Sequence, residues 1–133
     1  MEESILISIK LLLGITEDNE DFAQIILMHI NTAFALLRQL GVGPSEGFMI
    51  EDKDATWNEF ISDKPKWSSV KTYIYQQVRL AFDPPTMGSV MEAIKSSIAE
   101  LEWRLKVEAE ADGEEEIQNV REEIKSLTMF NAH

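Results

Sequence analysis

Apolar residues recur at helical spacing in six stretches of the chain, and the residues between them are ones that stop helices. Over residues 4–13, Ile5, Leu6, Ile9, Leu12 and Leu13 share one face. Ile7 and Leu11 widen it, and Gly14 closes the helix. The T-E-D-N-E-D segment follows, where Asp18 or Asn19 can cap the next helix and the carboxylates suit its positive end. Residues 20–40 give the cleanest pattern, with Phe22, Ile25, Ile26, His29, Ile30, Ala33, Leu36, Leu37 and Leu40 in a continuous stripe. Gly41 suits the left-handed position after that helix. Residues 41–53 read as a loop, and the apolar Phe48, Met49 and Ile50 in it are expected to dock on the core or form a short edge strand.

A short helix over 54–61 is expected next, capped by Asp54 and burying Trp57, Phe60 and Ile61. Pro65 fits the first turn of the following helix. There Trp67, Val70, Ile74, Val78 and Ala81 make a stripe broadened by Tyr73, Leu80 and Phe82. Pro84 and Pro85 impose a hard stop, because each lacks an N–H and clashes with the preceding turn. Thr86 is placed to cap the last core helix, in which Met87, Val90, Met91, Ile94, Ile98, Leu101 and Leu105 fall at steps of three and four. From Glu108 the chain turns acidic, and E-A-E-A-D-G-E-E-E reads as a solvated linker broken at Gly113. Ile117, Val120, Ile124 and Leu127 then return at steps of three, four and three, followed by Met129 and Phe130. A helix that short is not stable alone and needs something to lie against. The expected fold is all-α: a compact bundle of four to five helices with a long C-terminal core helix and an extended acidic tail. Residues 1–110 form the helical domain, and 111–133 the linker and tail helix.

Composition narrows the functional classes. The 133 residues are 44% apolar and carry a net charge of −12. Residues 108–133 hold eight acids and two bases, so half of the net charge lies in the last fifth of the chain. Gripping a nucleic-acid backbone needs clustered Lys and Arg, which this balance does not supply. No apolar run reaches the roughly 18 residues of a membrane span. Ile5–Leu13 lacks the flanks of a signal peptide. There is no cysteine, so thiolate chemistry and disulfides are excluded.

The sequence contains no nucleophile elbow, phosphate loop, dinucleotide fingerprint or metal-ligand cluster. His29 sits on an apolar face and reads as a core residue. The carboxylates at 17–21 read as helix-end partners, and Glu51, Asp52 and Asp54 do not match an EF-hand. The chain is therefore expected to be no enzyme and to bind no cofactor or metal. Trp103 falls off the stripe of its helix, between Glu102 and Arg104, and is a candidate for contact with a partner. The tail residues Ile117, Val120, Ile124, Leu127, Met129 and Phe130 are the others.

Three groups of segments carry a family resemblance: V-K-T-Y-I-Y-Q-Q-V-R-L-A-F-D-P-P with A-I-K-S-S-I-A-E-L-E-W-R-L, then I-N-T-A-F-A-L-L-R-Q-L-G-V-G-P, and A-T-W-N-E-F-I. Together, over about residues 4–110, they resemble the head–tail connector proteins of long-tailed bacteriophages, the adaptors beneath the portal. The resemblance implies a structural virion protein at the head–tail interface, assembled in the host cytoplasm. It implies a closed ring of copies, a dodecamer in the virion, docked on the portal protein. That ring extends the DNA channel and offers a surface to a downstream head-completion or tail protein. DNA would pass without specific binding, and no membrane is involved. Glu108, Glu110, Asp112, Glu114, Glu115 and Glu116 are candidates to face the channel, where they would repel DNA over roughly 8–10 Å in salt.

Two other classes compete. An acidic regulator or DNA mimic that binds a DNA-binding protein would need carboxylates ranked along one face, and here they scatter. A helical enzyme subunit or binding module would need converging polar groups in a pocket, and the sequence offers none.

Overall fold

The computed structural model describes residues 3–62 and 64–131, except for the side chains of 64 and 129–131. Its five helices are α1 (Ile5–Leu12), α2 (Ala23–Gln39), α3 (Trp57–Phe60), α4 (Lys64–Phe82) and α5 (Gly88–Asn131), with no strand among the described residues. The all-α bundle with a long last helix is the expected architecture. α4 is its centre, since α1, α2 and α5 all lie against it.

α1 is fixed by its start. The Ser4 hydroxyl accepts from Ile7 N (3.2 Å) and donates to Lys53 O (2.6 Å), capping the helix and tying it to a distant loop. Ile5 N donates to Ala55 O and Trp57 N to Glu3 O, so residues 3–5 and 53–57 form a clasp. Trp57, buried, donates its indole N–H to Ser8 Oγ (3.1 Å). Lys10, buried along its stem, donates Nζ to Glu17 O at 2.9 Å. These two bonds set the rotation of α1, and they leave Leu12, expected on the buried face, exposed with Leu11.

α2 also turns relative to the expected stripe. Ile26, Ile30, Ala33 and Leu37 are buried as expected, but Leu27 and Phe34 replace Phe22, Ile25 and His29 on the core face. The rings of Phe48 and Phe60 stand 5.0 and 4.7 Å from that of Phe34, and 5.2 Å from each other. Burying this three-ring cluster outweighs burying Ile25. Asp18 and Asn19 do not cap α2. Asn19 Oδ1 accepts from Asp21 N instead, closing a turn, and Phe22 takes the cap position with its ring 5.3 Å from Phe82.

The 41–53 segment is a loop, and docking wins over the edge strand. Phe48 joins the ring cluster, and Asn31 brackets Ile50 by donating to its carbonyl (2.9 Å) and accepting from its N–H (2.8 Å). Gly41 has the left-handed backbone expected of it (φ +86). Gly43 (φ +89) is required for a second reason, because a Cβ there would stand 2.4 Å from Phe60 Cε1. Thr56, not Asp54, occupies the cap position of α3; the Asp54 N–H is taken by Asp52 Oδ1 at 2.9 Å.

The proline corner is as expected in outline. Asp83 N bonds Arg79 O (2.9 Å), and Pro84 and Pro85 are non-helical. α5 begins at Gly88, with Met91 N on Met87 O, so Thr86 lies too early to cap it. Ile94, Ile98 and Leu105 are buried, whereas Met87, Val90 and Ala81 are exposed. The expected linker is absent: α5 runs unbroken through Gly113. An interior glycine costs about 1 kcal/mol against alanine, and the flanking Glu and Ala residues are among the better helix formers. Asp112 is held by Lys66 of α4 at 2.5 Å one residue before the glycine.

Candidate assembly surfaces

The 44 residues of α5 span roughly 66 Å at 1.5 Å per residue. The buried part ends at Leu105 and Ala109; from Glu114 onward every described side chain is exposed. The last 15 residues of the helix, from Ile117 to Asn131, thus project about 22 Å past Glu116, whose side chain still borders the bundle. On that projection Ile117, Val120, Ile124 and Leu127 form one apolar seam, each about half exposed. Met129 and Phe130 belong to the same helix, but their side chains lie outside the described residues. Trp103 is 66% exposed. Its neighbour Arg104 turns back to Glu100 (2.6 Å) and does not cover it. Val107, one turn on, is exposed too. Trp103 and the tail seam are separate patches on one helix.

The six candidate channel acids are divided. Glu108, Asp112 and Glu116 follow at four-residue steps, and they line a groove of about 350 Å³ with Gly41, Val42 and Lys66. Asp112 is already committed to Lys66 there. Glu110 and Glu114, also four apart, share a different face, and Glu115 is exposed.

Where α4 meets α5, a polar contact locks the two. Tyr73, fully buried, donates its hydroxyl to Glu102 Oε2 (3.0 Å) and accepts from Gln77 Nε2 (3.1 Å). Burial raises the Tyr73 pKa to about 12; the Gln77 bond lowers it, and the Glu102 carboxylate raises it further. The folded protein therefore keeps a proton that the unfolded chain releases near pH 10. Stability from this group is complete below pH 10 and is lost as pH rises through 12, by on the order of 2 kcal/mol. Thermal unfolding of the wild type and Tyr73→Phe between pH 9 and 12 checks this: the wild type should lose more stability across the window than the variant. Parallel losses in the two proteins would refute it. At the clasp, Lys71 hydrogen-bonds Glu3 at 2.7 Å and holds its carboxyl below the ordinary range.

No group of three or more His, Asp or Glu side chains among the described residues is placed to hold a metal ion. No helix among them is long and apolar enough to cross a membrane. His29 is half-buried on α2. The sequence missed one surface feature: α2 turns an uncharged, exposed face outward, with Ile25 and Met28 in it. Its signal was the absence of any Asp or Glu in all 17 residues of the helix.

The class that the structure defines is an all-helical bundle whose long last helix leaves an apolar seam exposed. A family model described as phage connector protein matches residues 5–112, and the chain belongs to that family. No curated protein and no solved structure matches the chain. As a phage connector protein, the chain is a structural component of phage particles and works in contact with other phage proteins.

Proposed function

We propose that this protein is a head–tail connector that forms a closed ring beneath the portal, extends the DNA channel and presents the attachment surface for a tail or head-completion protein. The observation that carries the reading is the projecting end of α5, an apolar seam with nothing of its own bundle to cover it, in a chain of the phage connector family. A ring needs heterologous contacts, one face of a subunit against a different face of the next. Separated exposed patches at Trp103 and at Ile117–Leu127 provide such faces. Residues up to about 110 act as the ring body, and residues 111–133 as the reaching arm. Of the candidate acids, Glu110 and Glu114, which share one exposed face of α5, face the channel and repel DNA. A dodecamer matches the family resemblance.

The test is the mass of the purified full chain, alone and with its portal protein. A ring assembled on the portal is the expected result. A chain that stays monomeric beside the portal would end this reading.

A further inference from the structure

The buried face of α2 runs through Ile26, Ile30, Ala33 and Leu37. On the opposite side Ile25, Met28, Thr32, Ala35 and Gln39 follow at steps of three, four, three and four, and all five are exposed. This is the spacing of a helix-packing seam, about 21 Å long at 1.5 Å per residue. It is also free of charge in a protein that is 27% Asp, Glu, Lys and Arg. Beside it runs an open groove of about 740 Å³, floored by Phe34 and Phe48 and edged by Met28 and Met49. Met49 is 74% exposed. Flexible methionine side chains adapt their shape to an incoming apolar surface. Exposed apolar residues at this density mark an interface.

The α5 tail has the complementary seam: Ile117, Val120, Ile124 and Leu127 at steps of three, four and three. Charge decides what the tail lies on. Residues 114–128 carry five carboxylates and two bases, so tail laid on tail would crowd ten carboxylates together. α2 has no carboxylate, and its one full charge is Arg38. Arg38 edges the groove, held in place by its bond to Ser45 O (3.0 Å), and Glu46 is the one acid in the groove wall. We propose that the outer face of α2 receives the α5 tail of a second copy of this chain. Each copy gives a tail and receives one, a heterologous contact of the kind that closes rings. The inference rests on the ring reading and specifies its joint.

The chain has no cysteine, so engineered disulfides report this contact directly. Ala35→Cys and Val120→Cys both alter exposed positions. Mixed and oxidised, the two variants should give a cross-linked dimer that neither gives alone. The double variant should give a ladder of multimers. Adding Thr32→Glu should abolish the cross-link without lowering the melting temperature. Self-linking of Val120→Cys, or no product in the mixture, overturns the proposal. Native mass separates it from the ring itself. A closed ring without the 35–120 link ends this docking mode and leaves the ring. A 35–120 ladder that never closes does the reverse.

Discussion

Trp57→Ala is expected to destabilise the protein by about 3–5 kcal/mol, the range for removing a buried large aromatic. Trp57 is 1% exposed and stands where three elements meet. Its backbone N–H bonds Glu3 O, its indole N–H bonds Ser8 Oγ on α1, and the Lys71 ammonium of α4 lies 5.6 Å from its ring centroid. Alanine leaves a cavity and an orphaned Ser8 hydroxyl acceptor, and it removes the face on which Lys71 rests. A domain of this size holds roughly 5–15 kcal/mol in total, so the loss takes a large share. Chemical denaturation of wild type and variant reads it as a lower midpoint at unchanged slope. Trp57→Phe separates the parts: it keeps most of the packing and gives up only the Ser8 bond, so its loss should be less than half that of alanine. A loss below about 1 kcal/mol for alanine would mean that the clasp between residues 3–5 and 53–57 does not hold α1 in place.

The sequence located α1, α2, α4, the proline corner and the apolar tail, because each is marked by local chemistry: a period of three to four, a glycine past a helix end, prolines that break one. What it missed is set by partners distant in sequence. Ser4 reaches the Lys53 carbonyl, and Ser8 meets Trp57, only because a segment 49 residues away returns to them. The rotation of α2 could not be read from periodicity, since the helix is apolar on two sides. Phe34 is buried by Phe48 and Phe60, and Ile25 is left outside with Met28. In one dimension a core stripe and an interface stripe look alike. Gly113 misled in the opposite way. Glycine and a run of acids suggested a linker, but Glu and Ala favour helix, and a preformed helix is extended for one hydrogen bond per residue without a new nucleation cost. Of the candidate partner-binding residues, the exposure of Trp103 and of the described tail side chains was foreseeable, because they are apolar without a local reason. The α2 face was not, because its neighbours in sequence are core residues.

Ending the chain after Gly113 should leave a folded domain that no longer assembles. Among the described residues, none from Glu114 onward is buried, and no hydrogen bond or ion pair described for that stretch reaches back to the bundle. The cut keeps Asp112 with its Lys66 bridge and the apolar contacts of Leu105 and Ala109. Midpoint stability should therefore change by less than about 0.5 kcal/mol, the usual range for surface changes. Assembly should fall by far more. A free segment of 20 residues as polar as this one would be largely unfolded, and a partner binding it would first have to order it. As the continuation of α5 it is presented already helical, with its four seam residues on one side, so that ordering cost is removed before contact. A variant with Ile117, Val120, Ile124 and Leu127 all changed to serine tests the same point with the length of the chain preserved. It should match the truncation in losing assembly. If the truncated chain unfolds, the seam serves its own bundle. If both variants are folded and still assemble on the portal, the joint lies elsewhere, with Trp103 and Val107 as the remaining exposed apolar patch on α5.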